Sequence, residues 1–413
     1  MKVHNRRAFL TSISSLAISA AFLSSNSADA ARKRHKANAS HKAANQQDLV
    51  SGPPAITPLG SFDTIAKWAF IMDYNTGTVL LNKAADERMT PSSLTKLMTI
   101  YIVFAMLRNG TIKLEQAMPV SEKAWRMQGS KMFVPLGGSV TVQELIQGVV
   151  IQSGNDACIV LAEGIAGSES QFVAMMNDLA PKMGLTNSHF LNTTGWPEEG
   201  HYMSARDVAL VAYHLIHDYP EYYHFFAERE FRFNNITQGN RNVLVDKGLA
   251  DGLKTGHTEI GGFGLCASSE RNGRRVIISL NGMPSSNARA HEGERLLEWA
   301  FVQFQNVTLF HKGDVLDNAE VWMGAQPTVP LVAGQDLVMT LPNGWERRMQ
   351  ISLDYNAPIA APVTKGQPVM ASLSVQNSGG SSIQVPVVAG ESVPKANIFS
   401  RIFRNLGHRV GRS

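Results

Sequence analysis

Apolar and polar positions alternate along this chain with two different periods, and the period changes mark its elements. The run Leu97 to Leu107 is almost wholly apolar. It is too short to span a bilayer and predicts a buried central helix. Val142 to Ile151 and Ala157 to Ile165 read as helices, which places Ser153-Gly154-Asn155 in the turn between them. Phe172 to Met183 and Ala205 to Ile216 are further amphipathic helices, the second with Ser204 as N-cap. Trp68 to Met72 and Thr78 to Leu81 flank Asp73-Tyr74-Asn75-Thr76-Gly77 and predict a hairpin. Phe263 to Ser269 and Arg275 to Leu280 flank Asn272-Gly273 and predict a second. A helix over Glu292 to Phe304 closes this mixed region.

From about residue 306 the pattern becomes short Val-, Leu- and Thr-rich runs broken by Gly, Pro and Asn. Val321 to Met323, Leu337 to Leu341, Gln350 to Leu353 and Val369 to Val375 read as strands at sandwich spacing. In the tail, positions 398, 399, 402, 403, 406 and 410 fall on one helical stripe, flanked by Lys395, Arg401, Arg404 and Arg409. A basic amphipathic helix of this kind suits the face of an anionic bilayer, at about 1 kcal/mol per basic residue.

The first thirty residues have the layout of an export signal. Lys2, Arg6 and Arg7 precede the mostly apolar Ala8 to Leu23, and Ala28-Asp29-Ala30 fits a small-residue cleavage site. Asn5-Arg6-Arg7-Ala8-Phe9-Leu10 resembles a twin-arginine signal, although Lys does not follow Leu10. Residues 31–60, rich in Ala, Ser, Gln, Lys and Arg with Pro53, Pro54 and Pro58, read as a disordered basic linker. The organisation expected is therefore a signal at 1–30, a linker at 31–60, a catalytic domain at 61–305, an all-β domain at 306–392 and a membrane-association helix at 393–413.

Charge sharpens that division. The chain has 38 basic and 34 acidic side chains and a net of +4. Both ends are basic, so the body from 61 to 393 carries a net of about −7. This argues against nucleic acid as a partner and for basic tails near an anionic surface. Cys158 and Cys266, in an exported chain, leave both a disulfide and a pair of buried thiols open.

The chemistry is concentrated in three short motifs. Pro91-Ser92-Ser93-Leu94-Thr95-Lys96 contains Ser-x-x-Lys at the start of the central helix, which puts Ser93 and Lys96 one turn apart on one face. A serine hydroxyl needs a base, and an amine becomes one when burial and nearby charge lower its pKa. Ser153-Gly154-Asn155 and Lys254-Thr255-Gly256 follow in that order. Each motif alone is common by chance; the ordered set is the signature of penicillin-recognising serine enzymes.

With these motifs, and with Gln152-Ser153-Gly154-Asn155-Asp156-Ala157-Cys158, Tyr202-Met203-Ser204-Ala205-Arg206-Asp207, Asn240-Arg241-Asn242 and Gly252 to Thr258, the chain resembles the D-alanyl-D-alanine carboxypeptidases, the low-molecular-mass penicillin-binding proteins. The likeness runs from about Ile65 to the C-terminus. It implies an α+β fold: a penicillin-binding/β-lactamase-like domain of a helical lobe plus an antiparallel sheet, then a small all-β sandwich and the amphipathic helix. It implies Ser93 as nucleophile, Lys96 as general base and Ser153 as proton relay to the leaving amine. Asn155 would bond the substrate amide and Lys96, and the Ser93 and His257 N–H groups would hold the oxyanion, worth about 3 kcal/mol per donor. Lys254 would supply positive potential, and Thr255, Gly256, Arg241 and Arg289 would complete the substrate-binding side, the arginines pairing with the terminal carboxylate. Arg289 follows a run, Pro284 to Ala288, that departs from the family's usual one. The resemblance implies no metal or organic cofactor.

The expected substrates are peptidoglycan pentapeptides ending in D-Ala-D-Ala, and β-lactams. The expected location is the periplasm, with residues 395–410 on the outer face of the inner membrane. Competing readings are a peptidoglycan DD-endopeptidase, a class A-like β-lactamase and a non-catalytic wall-binding scaffold. Asn192 to His201 lacks the Glu-x-x-Leu-Asn pattern of class A β-lactamases, and Glu198 and Glu199 read as solvent-facing turn acids.

Overall fold

In a computed structural model of the chain, residues 4–9, 52–347, 350–376 and 381–397 are described. They form two compact units. One comprises residues 50–309 with 338–343; the other comprises 310–337 and the residues from 344 onward, with the N-terminal strand. Most of the expected signal, linker and tail helix lie outside the described residues.

The first unit is built on a seven-stranded sheet. Its order is Gly252–Thr258, Gly262–Arg271, Arg274–Met283, Trp68–Asp73, Val79–Lys83, Ala55–Thr57 and Gly60–Phe62. All paired neighbours are antiparallel. Both predicted hairpins are present. At the tip of one, Asn272 and Gly273 have φ of 52° and 77°, the left-handed pair that a two-residue hairpin turn requires. The strand Trp68–Asp73 is buried throughout because both of its faces are covered. Trp68, Phe70 and Met72 face the helical lobe, while Ala69 and Ile71 face the opposite core. This is the two-residue period of a strand sandwiched between layers.

Eight helices are described in this unit: α1 (Lys96–Arg108), α2 (Glu122–Arg126), α3 (Val142–Val150), α4 (Asn155–Ala166), α5 (Glu169–Leu179), α6 (Ala205–Asp218), α7 (Val243–Asp246) and α8 (Ser286–Gln303). Ten residues of α1 are buried, so it is the axle of the helical lobe and not an amphipathic surface helix. A capping box starts α3: Thr141 Oγ1 accepts from Glu144 N–H, and the Glu144 carboxylate accepts from Thr141 N–H. Ser204 caps α6 as expected, accepting from Asp207 N–H. Two predicted helices differ in extent. α5 ends at Leu179 because Pro181 breaks it, leaving a 3₁₀ turn at Pro181–Met183. α8 starts at Ser286, six residues earlier than expected, because Ser285 caps it by accepting from Ala288 N–H.

The second unit is all β. Its sheet runs His4–Phe9, Gln350–Ala357, Pro368–Gln376, Ser381–Ala389, Thr328–Ala333, Val315–Trp322 and Ile359–Ala360. The expected strand Leu337 to Leu341 is present as Leu337–Pro342, but Val338–Asn343 belong to the first unit and the strand pairs with Phe304–Phe310. Periodicity identifies a strand without saying which core it completes. Among the described residues, no helix is long and apolar enough to cross a membrane.

Candidate active site

A short 3₁₀ turn, Ser92–Thr95, leads directly into α1. Ser93 lies in that turn and Lys96 at the first position of the helix, so a single helical turn separates them. Lys96 is fully buried; its Nζ lies 2.8 Å from Ser93 Oγ and donates to the Thr194 carbonyl at 2.6 Å. Its pKa is lowered to about 8, chiefly by burial, with Cys158 and Asp156 opposing the shift and the nearby Arg241 charge adding to it. An ammonium held in this way gives up its proton near neutral pH.

The carbonyl that holds Lys96 is itself positioned by a tight loop. Asn192 Oδ1 accepts from the N–H groups of Thr194, Gly195 and Trp196, folding the chain back on itself. Gly195 has φ of +79°, and a Cβ there would stand 1.7 Å from the Ser92 carbonyl oxygen. Only glycine lets this loop lie against the nucleophile segment. Below it, Thr95 Oγ1 and His201 Nε2 are 2.9 Å apart, and His201 Nδ1 accepts from Leu191 N–H. His201 is buried with a pKa lowered to about 4, so it is neutral, with the proton on Nε2 directed to Thr95.

Ser153 and Asn155 occupy the α3–α4 turn, as the periodicity predicts. Ser153 is buried and has a left-handed φ of 62°. Asn155 opens α4; its Nδ2 donates to the Gln128 carbonyl at 2.7 Å, and its N–H donates to the Ser130 carbonyl at 2.7 Å. The expected bond from Asn155 to Lys96 is not among the bonds of the described residues: Asn155 Nδ2 donates to the Gln128 carbonyl, and Lys96 Nζ is bonded to Ser93 Oγ and the Thr194 carbonyl. Beside it, buried Asp156 accepts from the N–H groups of Met132, Phe133 and Val134 at 2.9–3.2 Å, and so anchors the 130–134 segment to α4.

The third wall is the strand Gly252–Thr258. Lys254 is buried and donates to the Thr255 carbonyl at 3.0 Å. Burial first, then the Lys96, Arg241 and Arg289 charges, hold its pKa well below that of an ordinary lysine. A Cβ on Gly256 would come within 3.1 Å of the Pro91 carbonyl oxygen and 3.3 Å of the Ser93 nitrogen. The Lys-Thr-Gly backbone is therefore packed tightly against the backbone of the nucleophile, with little room for a side chain between them. The Ser92 and Thr258 hydroxyls, 3.0 Å apart, fasten the two. His257 is exposed and stacks on Phe263, with ring centres 3.9 Å apart.

The arginines close the rim. Arg241 Nη1 donates to Ser130 Oγ at 2.7 Å. The Arg289 guanidinium lies 5.7 Å from the Phe263 ring centre, and its pKa is lowered by burial and by the charge of Arg241. Every expected site residue thus lies within the unit of residues 50–309, where the charges of Lys96, Arg241, Lys254 and Arg289 act on one another and Gly256 packs against Ser93. Glu198 and Glu199 are exposed, as expected, and Glu198 accepts from the Asn192 side chain at 3.3 Å. Cys158 and Cys266 are free buried thiols. Among the described residues no cluster of His, Cys, Asp or Glu could hold a metal ion.

Sequence reading alone assigned nothing to Thr194, Gln128 or Ser130, and gave no role to Asp156. The first three act largely through backbone carbonyls, which have no residue-type signature. Asp156 left a usable signal, a short acid in the first turn of the helix that follows the Ser-x-Asn turn.

Residues 55–283 match the family model for D-alanyl-D-alanine carboxypeptidase, and residues 304–395 match that for the penicillin-binding protein 5 C-terminal domain. The chain is 40% identical to D-alanyl-D-alanine carboxypeptidase DacC of Escherichia coli K12, over 81% of this chain and 85% of that one. It is 35% identical to DacA of the same strain, over 87% and 89%. Its fold matches crystal structures of penicillin binding protein 5 from Haemophilus influenzae with a TM-score of 0.70 and 34% identity, covering 84% of this chain and all of the other.

Proposed function

Given that the chain belongs to the D-alanyl-D-alanine carboxypeptidase family, we propose that its serine-type D-Ala-D-Ala carboxypeptidase activity is carried by Ser93 with Lys96 as its base. The observation that carries this assignment is the buried Lys96 amine 2.8 Å from Ser93 Oγ. With a pKa of about 8, about a tenth of Lys96 is neutral at pH 7 and ready to accept the hydroxyl proton. Ser93 Oγ attacks the carbonyl between the two terminal D-alanines of a peptidoglycan pentapeptide. The negative oxygen forms against the N–H groups of Ser93 and His257, brought together by the close approach at Gly256. Ser153 delivers a proton to the leaving amine and is reprotonated by Lys96, which returns to the neutral form as D-alanine departs. Water then cleaves the ester, with Lys96 again taking a proton.

Recognition of a C-terminal residue requires a receptor for its free carboxylate. Thr255, Arg241 and Arg289, with the charge of Lys254 behind them, supply it, and Asn155 presents its amide to the peptide. β-Lactams place a strained amide in the same position and acylate Ser93. Residues 1–30 direct the chain to the periplasm, and residues 395–410 rest on the anionic outer face of the inner membrane. Support for that placement is the basic, apolar-striped sequence of the tail.

Mass spectrometry of a purified pentapeptide muropeptide, incubated with the parent chain and with Ser93→Ala, tests the assignment. Loss of one alanine with the parent and none with the variant is expected. Cleavage of cross-linked dimers while monomers stay intact would move the activity to an endopeptidase.

A further inference from the structure

The two N–H groups assigned to the oxyanion, on Ser93 and His257, belong to segments far apart in the chain. Their own secondary structure does not set the gap between them. Ser93 lies in the 3₁₀ turn Ser92–Thr95, and His257 lies on Gly252–Thr258, the edge strand of the first unit's sheet. An edge strand has no neighbour on its outer side to fix it in place.

The residue next to each donor carries a hydroxyl, and the two hydroxyls meet. Ser92 Oγ and Thr258 Oγ1 are 3.0 Å apart. Thr258 Oγ1 also accepts from Gly261 N–H at 3.0 Å, which holds it at the end of the strand. Ser92 is 1% exposed and has a φ of 53°, a left-handed conformation that disfavours any residue with a Cβ. Glycine would relieve that strain, but only a side chain can reach across to Thr258. The Ser93 N–H lies in the peptide plane that follows Ser92, so the backbone of Ser92 aims it.

Around the pair the packing is close. A Cβ on Gly256 would stand 3.1 Å from Ser92 Cβ, and one on Gly261 would stand 2.8 Å from the Thr90 carbonyl oxygen and 3.3 Å from Ser92 Oγ. Asn281 Nδ2 donates to that same Thr90 carbonyl at 3.1 Å. Small shifts at this contact therefore pass directly to both donors.

We propose that the Ser92–Thr258 hydroxyl pair is a clasp that sets the separation of the Ser93 and His257 N–H groups, making both residues positioning residues for the oxyanion. This rests on the carboxypeptidase reading. Ser92 is buried, so it acts through the donor beside it and not on the substrate.

Three variants of the full chain test the clasp. Ser92→Ala removes one hydroxyl and leaves the Thr258–Gly261 bond intact; Thr258→Val removes the other at nearly constant shape; Thr258→Ser keeps it. Ser92→Ala should lower kcat for D-alanine release from diacetyl-lysyl-D-alanyl-D-alanine by about tenfold with KM within about twofold, because a displaced donor is felt only as the oxyanion forms. Affinity for a peptidyl boronic acid, whose tetrahedral adduct with Ser93 puts an oxygen between the donors, should fall by a similar factor. Thr258→Val should match Ser92→Ala, the double variant should lose no more than about twofold beyond either, and Thr258→Ser should stay within about threefold of the parent. An unchanged kcat, a boronate affinity that does not fall, or losses that add in the double variant overturns the clasp. Should Ser92→Ala fail to fold, the contrast between Thr258→Val and Thr258→Ser decides alone, and equal rates in those two overturn it. A parent that neither releases D-alanine nor takes up labelled penicillin overturns the carboxypeptidase reading, and the clasp with it.

Discussion

Two lysines are buried near enough to feel each other's charge, and they are not equivalent. Lys96 sits at the start of a helix, bonded to Ser93 Oγ and to a carbonyl delivered by a glycine turn. Lys254 sits on a strand, bonded only to the carbonyl of its own neighbour, and faces three other positive groups. Burial lowers both pKa values, so burial alone does not make a base. The difference is geometric: one amine is aimed at the Ser93 hydroxyl, while the other lies on the strand proposed to receive a carboxylate.

The most forceful way to break this contrast is to remove one amine at a time. Lys96→Ala should slow acylation of Ser93 by a labelled penicillin by at least about 10³-fold, the upper range for a general base. Lys254→Ala should cost less in acylation and more in KM for the peptide. Stopped-flow acylation beside steady-state D-alanine release separates the two, and equal losses from both variants would end the distinction.

A second test leaves both amines and disturbs only the turn. Gly195→Ala would put a methyl group onto the Ser92 carbonyl at a left-handed φ, so the Thr194 carbonyl must withdraw from Lys96. A loss of about 2 kcal/mol or more in thermal unfolding, with slower acylation, is expected. Unchanged acylation would show that Ser93 alone suffices to position the amine.

The smallest effect is the most specific. If Lys96 is the proposed base it works as the neutral amine, so kcat/KM should rise with pH through about 8. Arg241 lowers that pKa by repelling the ammonium form. Arg241→Gln should therefore raise it and move the acidic limb of the profile to higher pH by a fraction of a unit, apart from any change in KM. A limb that stays in place would remove Arg241 from the electrostatics of the base.

How much of this was legible follows from where the information is stored. Periodicity placed the central helix, both hairpins of the sheet and the turn carrying Ser153 and Asn155, because a buried helix, a two-faced strand and an Asn-Gly turn each leave a local residue pattern. Ser93, Lys96 and Lys254 were equally legible, since their spacing is a property of one helical turn or one strand. Proximity between segments was not. That Gly195 must be glycine for the sake of Ser92, that Gly256 packs tightly on Ser93, and that Asn155 bonds Gln128, depends on residues far apart in the chain. The sequence by itself determined which side chains do chemistry and on which elements they ride. Only the tertiary structure decided how each of the two buried amines is held, because that depends on the carbonyls, methyl-sized gaps and neighbouring charges that packing brings to each.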